Sequence, residues 1–128
     1  MMDETLPFHG CRVLVIEDSH LIVLGVTHLL ERLRCVVVDP ACSVNAALQR
    51  LDDCRFDVVL LDVDLRGESS QPVAHELAAR GVPYSIMTGY SRSRIPESWP
   101  PAPILEKPFG EEELQRVLLE LLAGCPRR

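Results

Sequence analysis

Five short apolar runs constrain this chain more than any other feature: Val13 to Ile16, Cys35 to Val38, Val58 to Leu61, Tyr84 to Met87 and Ile104 to Leu105. They are rich in β-branched residues and do not alternate polar with apolar, the pattern of strands buried on both faces. Successive runs begin roughly 20 residues or more apart, which leaves room for the helical crossover that parallel neighbours require. The intervening segments carry the helix period. Val26, Leu29, Leu30 and Leu33 fall at i, i+3, i+4 and i+7, as do Val44, Ala47, Leu48 and Leu51, and again Leu114, Val117, Leu118 and Leu121. Ser43 is placed to N-cap the second helix, and Glu111, Glu112 and Glu113 put negative charge at the positive end of the last. A shorter helix is expected around Val73 to Ala79, ending at Gly81. The pattern predicts an α/β fold with a five-stranded parallel sheet covered by helices on both sides.

One crossover departs from this pattern. Ser91 to Pro103 holds Pro96, Pro100, Pro101 and Pro103 and offers no sustained helical face. Each interior proline disfavours a helix by roughly 3 kcal/mol, so a loop or at most one turn is expected there.

The 128 residues fit one ordinary domain. A net charge of −6 argues against a face that neutralises phosphates, so no nucleic-acid partner is expected. No apolar run reaches the length of a membrane span, and Met1 to Gly10 carries acids where a secretion signal would carry positive charge. A cytoplasmic protein, not associated with a membrane, is expected. Cys11, Cys35, Cys42, Cys54 and Cys125 form no Cys-x-x-Cys pair, and an odd number cannot be fully bridged within one chain, so reduced thiols are expected. His9, His20, His28 and His75 lie far apart and none pairs with a cysteine at zinc-ligand spacing.

The polar chemistry falls at the ends of the apolar runs, where open parallel sheets gather their ligands. Glu17 and Asp18 follow the first run, Asp62 closes the third, Thr88 and Gly89 end the fourth, and Lys107 with Pro108 ends the fifth. Each alone is ordinary, because acids after strands commonly cap helices or form turns and a lysine before proline is commonly a solvated charge. Their joint occurrence at successive strand ends carries the argument. If the first and third strands are neighbours, three carboxylates converge, and unit charges at 4 Å repel by about 4 kcal/mol per pair at an effective dielectric of 20. Such a cluster calls for a cation, and hard oxygen ligands with open positions suit Mg²⁺. The chemistry this permits is attack of a carboxylate on phosphorus, with Lys107 and Thr88 supplying a positive charge and a hydroxyl to the transferred group.

From Cys11 to Ala123 the chain resembles the receiver domain of two-component response regulators, the CheY-like family. The resemblance rests on Val13-Leu14-Val15-Ile16-Glu17-Asp18, Val58-Val59-Leu60-Leu61-Asp62, Met87-Thr88-Gly89 and Lys107-Pro108-Phe109. It implies a flavodoxin-like three-layer sandwich in strand order 2-1-3-4-5. It implies Asp62 as phosphoacceptor and Mg²⁺ held by Glu17, Asp18, Asp62 and the backbone carbonyl of Asp64. Thr88 and Lys107 would contact phosphoryl oxygens, and the bond before Pro108 would be cis. The family switch couples Thr88 to an aromatic residue on the fifth strand, but here Ile104 stands three residues before Lys107. Ile86-Met87-Thr88-Gly89-Tyr90 is similar to the Phe-Ala-Thr-Gly-Tyr motif of a receiver subgroup whose fourth helix is irregular or missing. Tyr90 and a mobile loop from Ser91 to Pro103 are therefore expected to report phosphorylation.

The resemblance implies a stand-alone receiver domain over residues 11–123, between an N-terminal extension of residues 1–10 and a tail of residues 124–128. The implied donor is a sensor histidine kinase or histidine phosphotransfer protein, the output is binding to a protein target, and the state is a monomer or weak homodimer. The receiver is not a conventional enzyme and catalyses only its own phosphorylation and dephosphorylation. Two other readings remain open in the sequence. Asp62-Val63-Asp64 also fits the Asp-x-Asp start of haloacid-dehalogenase-like phosphatases, and a phosphorylation-independent interaction module would keep the same ancestry.

Overall fold

A computed structural model describes residues 6–89 and 95–123. The chain runs β1 (Arg12–Ile16), α1 (His20–Arg32), β2 (Val36–Val37), α2 (Val44–Asp53), β3 (Val58–Asp62), β4 (Asp64–Leu65), β5 (Glu68–Ser69), α3 (Gln71–Ala79), β6 (Tyr84–Thr88), β7 (Ile104–Glu106) and α4 (Glu111–Ala123). Five of the strands form one parallel sheet in the order β2-β1-β3-β6-β7. Counted as the chain visits this sheet, that is the flavodoxin-like order 2-1-3-4-5.

The lack of alternation in the strands has a direct physical counterpart. Successive strand side chains point to opposite faces. Val13, Val15, Val58 and Leu60 therefore pack with Val26 and Leu30 of α1 and Leu114, Val117, Leu118 and Leu121 of α4. Leu14, Ile16, Val59 and Leu61 pack on the other side with Ala47 and Leu51 of α2 and Val73, Ala74 and Leu77 of α3. Apolar side chains are buried on both faces, as the sequence pattern requires. Phe8, ahead of β1, is fully buried in the first of these layers.

Helix ends follow local chemistry. Ser19 and Ser43 cap α1 and α2, their side chains accepting from the N–H groups of Ile22 and Ala46 at 3.3 and 3.1 Å. At the end of α3, Gly81 takes φ +70°, and the Gly81 and Val82 N–H groups donate to Ala78 O and Leu77 O. This Schellman closure needs a left-handed residue, which glycine supplies without strain. Arg34 fills the same position after α1 at φ 66°, with the Arg34 and Cys35 N–H groups donating to Glu31 O and Leu30 O.

The proline-rich crossover contains no helix over the described residues 95–103. Its described part is packed and hydrogen-bonded, and residues 91–94 of the expected mobile loop lie outside the described residues. Trp99 is buried and belongs to the same core layer as Leu77 and Tyr84. The Tyr84 hydroxyl donates to Pro100 O at 2.9 Å, the Ser85 hydroxyl to Pro103 O at 3.0 Å, and Gln71 Nε2 to Ser98 Oγ at 3.2 Å. A single indole thus fills space that a crossover helix would otherwise cover. Trp99→Ala is expected to cost about 3–5 kcal/mol, read as a lower urea midpoint with an unchanged slope.

Candidate functional site

The loops that follow the parallel strands bring together residues distant in sequence. Glu17 and Asp18 leave β1, Asp62 ends the adjacent β3, and the register Ile16↔Leu61 sets the two ends level. One oxygen from each of Glu17, Asp18 and Asp62 lies within 4.8 Å of the others. Lys107, just past β7, extends Nζ between two of them and donates to Glu17 Oε1 and Asp62 Oδ1, each at 3.0 Å. The Lys107 N–H donates to Thr88 O at 2.8 Å, and the Lys107–Pro108 peptide bond is cis. Thr88 is buried at the end of β6, one residue past the Asp62↔Met87 pair.

Each carboxylate has a distinct environment. Glu17 and Asp62 are 2% and 8% exposed. Burial pushes both carboxyls above their ordinary range, although the Lys107 hydrogen bond pulls the other way. Glu17 Oε2 also accepts from the Ser19 N–H at 3.1 Å. Asp18 is held below the usual carboxylate range, chiefly because its Oδ2 accepts from the Arg66 N–H at 2.8 Å. Burial acts to lower the Lys107 pKa, but its bonds to Glu17 and Asp62 together outweigh it, so the ammonium is favoured. The Arg66 guanidinium makes no ion pair with these acids among the described residues; its Nη2 donates to Cys42 Sγ at 3.1 Å. One ammonium among three carboxylates leaves excess negative charge, and the hard oxygens that carry it suit a small divalent cation.

The structure therefore brings Glu17, Asp18, Asp62 and Lys107 into one cluster, with Thr88 bonded through its carbonyl to the Lys107 N–H. Asp64 lies apart. Its side chain is exposed on β4, it pairs with Ser69 of β5, and its carboxylate is outside the acid cluster among the described residues. That position gives no support to an Asp-x-Asp phosphatase, in which both carboxylates face the reacting phosphate. Ile104 is half-buried at the start of β7, opposite Ile86 and away from the carboxyl ends of the strands. Tyr90 lies outside the described residues. His20, His28 and His75 are exposed, and no histidine joins an acid or cysteine cluster among the described residues.

The hairpin β4–β5 was not anticipated. Its two-residue turn has Arg66 at φ 53° and Gly67 at φ 79°, the type I′ geometry that X-Gly pairs favour. This turn directs the Arg66 N–H at Asp18. The Arg66-Gly67 dipeptide is the sequence signal that could have located it. Ser70 was also missed; its hydroxyl donates to the Asp62 carbonyl.

Comparison with known proteins identifies relatives of the chain. Residues 13–119 match the family model of the response regulator receiver domain. The sensory transduction protein LytT of Bacillus subtilis is 31% identical over 111 residues, covering 84% of this chain and 46% of LytT. The chain thus spans less than half of that relative. The solution structure of SdrG from Sphingomonas melonis Fr1 is 37% identical, covers 88% of this chain and 96% of SdrG, and superimposes with a TM-score of 0.78. TrrA from Thermotoga maritima, solved in complex with Mg(2+)-BeF, is 28% identical with a TM-score of 0.77, covering 88% of this chain and 99% of TrrA.

Removing the lysine tests the electrostatics directly. Lys107→Ala leaves Glu17 and Asp62 buried without their cation, so both carboxyls move further upward. An acid whose folded pKa lies above its unfolded value destabilises the fold once pH rises through the folded pKa. Without divalent cation, the variant is expected to lose about 2 kcal/mol near neutral pH. The deficit should shrink as the pH falls through the carboxylate range, as followed by urea unfolding at several pH values.

Proposed function

The chain belongs to the response regulator receiver family, and from that membership we propose that Asp62 accepts a phosphoryl group from a phosphohistidine donor. The observation that carries this reading is Lys107 Nζ, 3.0 Å from both Glu17 and Asp62 at the edge of a three-carboxylate cluster. A permanent ion pair would need only one acid. This lysine has two, and it can stay bonded to Glu17 while turning toward oxygens carried by Asp62.

In the proposed transfer an Asp62 carboxylate oxygen forms the new bond to phosphorus. The P–N bond to the donor imidazole breaks, and its electron pair stays on the ring nitrogen. Lys107 steadies the negative charge on the phosphoryl oxygens, and Thr88 stands beside it to donate its hydroxyl. Mg²⁺, held by Glu17, Asp18, Asp62 and the backbone carbonyl of Asp64, would supply charge neutralisation and orient the phosphoryl oxygens. The Arg66 N–H keeps Asp18 ionised and oriented for that ligand role. Burial around Asp62 and Glu17 strengthens each of these interactions by lowering the local dielectric.

The donor class is a sensor histidine kinase or a histidine phosphotransfer protein. The output is altered binding to a protein target by the domain of residues 11–123, acting as a monomer or weak homodimer. Thr88 carries the first step of the switch and Tyr90 reports it, since Ile104 stands where the family has its aromatic partner. No helix of the described residues is long and apolar enough to cross a membrane, in keeping with a cytoplasmic protein.

Incubation with acetyl phosphate and Mg²⁺ is expected to add one phosphoryl group to the wild type, read by mass spectrometry. Asp62→Asn should gain none, and EDTA should abolish the gain in wild type. Equal labelling of Asp62→Asn would remove Asp62 from the acceptor role.

A further inference from the structure

Ser70 has no part in the chemistry described above, yet it is fully buried. It stands at the N-cap of α3 and makes no side-chain capping bond. A capping serine ordinarily stabilises its helix by about 1 kcal/mol by accepting from the first-turn amides. Here the hydroxyl turns back toward β3 instead. It donates to Asp62 O and also lies 2.9 Å from Val63 O, which accepts from the Ser70 N–H at 2.9 Å. The Ser70 carbonyl in turn accepts from the Val73 and Ala74 N–H groups at 2.9 and 3.1 Å, opening α3. One buried side chain thus links the first turn of α3 to the peptide that leaves Asp62.

That link bears on the direction of the Asp62 carboxylate. The direction of a Cα–Cβ bond follows from the backbone on either side of the Cα. On one side Asp62 sits in the parallel ladder, opposite Met87. On the other its carbonyl is held by Ser70. Arg66, on the same segment between β3 and α3, fixes the neighbouring acid Asp18 through its N–H.

We propose that Ser70 is a positioning residue for phosphoryl acceptance: by holding the Asp62 carbonyl it sets the line along which the Asp62 carboxylate meets phosphorus. The inference rests on Asp62 being the acceptor. It concerns the alignment of the nucleophile, since Ser70 touches neither the phosphoryl group nor the oxygens placed to hold a cation. A misplacement of about 1 Å in a reacting group can cost roughly a hundredfold in rate; Ser70 shares the anchoring of this peptide with the Val63 N–H, which donates to Met87 O at 3.3 Å, so its loss is assigned roughly tenfold.

The test compares wild type, Ser70→Ala, Ser70→Thr and Asp62→Asn with acetyl phosphate at saturating Mg²⁺. The Asp62 oxygen bonds to phosphorus and the P–O bond to acetate breaks, its electron pair leaving on acetate. Ser70→Ala is expected to lower the maximal rate roughly tenfold while the half-saturating acetyl phosphate concentration and the Mg²⁺ affinity stay within about twofold. Ser70→Thr, which keeps the hydroxyl, is expected to recover most of that rate. In the metal-free protein the Asp62 carbonyl ¹³C resonance should move upfield in Ser70→Ala and return in Ser70→Thr. A folded Ser70→Ala that reacts at the wild-type rate would overturn the proposal, as would a Ser70→Thr variant as slow as Ser70→Ala. A rate loss matched by lost Mg²⁺ affinity would overturn it too. If Ser70→Ala does not fold, Ser70→Cys, a weaker donor, takes its place: slow Cys beside fast Thr supports the proposal, and equal rates end it. Wild type that gains no phosphoryl group, or gains one equally in Asp62→Asn, marks failure of the Asp62 assignment rather than of Ser70 alone.

Discussion

The contact on which this site depends is a lysine ammonium shared by two buried carboxylates. Lys107 Nζ stands 3.0 Å from both Glu17 and Asp62 and offsets part of the cost of burying them together. Desolvation penalises each of the acids, and the hydrogen bonds to one cation offset much of that cost. The arrangement stores an imbalance, since three carboxylates face one ammonium. Phosphoryl chemistry can use that imbalance. A divalent cation relieves it on one side, while the lysine remains available to the oxygens of an incoming group.

The scaffold makes such an imbalance tolerable. β1 and β3 are adjacent parallel strands buried on both faces, so their carboxyl ends are fixed by the register from Val13↔Val58 to Ile16↔Leu61. A rigid ladder imposes the proximity of Glu17, Asp18 and Asp62, and the core energy holds it against like-charge repulsion. The segment between β3 and α3 then refines the geometry. Its type I′ turn delivers the Arg66 N–H to Asp18, and Ser70 ties the Asp62 carbonyl to α3. The proline-rich crossover illustrates the same economy elsewhere. Trp99 and the bonds from Tyr84 and Ser85 anchor its described part without a helix.

Legibility varied with the range of the interaction. The five strands of the parallel sheet read correctly because burial on both faces leaves an unbroken apolar run, as in Val58-Val59-Leu60-Leu61. Ser43 read correctly as a cap because a serine before an amphipathic stretch acts within one turn. Ser70, the same residue type before another helix, would have misled by the same rule, since its hydroxyl bonds backward to Asp62 rather than forward into α3. The burial of Phe8 ahead of β1 and the anchoring of residues 95–103 through Trp99 also depend on partners far along the chain.

By itself the sequence determined the layered α/β architecture and the residue types at the strand ends, because burial and local hydrogen bonding act over a few neighbouring residues. Resemblance to a family then suggested the strand order and the roles of Glu17, Asp18, Asp62, Thr88 and Lys107. Only the tertiary structure decided that Lys107 bridges Glu17 and Asp62, that the Asp64 carboxylate is exposed outside their cluster, and that Ser70 serves the strand instead of its helix. Those outcomes depend on distances between segments brought together by the sheet, and charge and hydrogen-bond energies change steeply over the few ångströms that strand register sets.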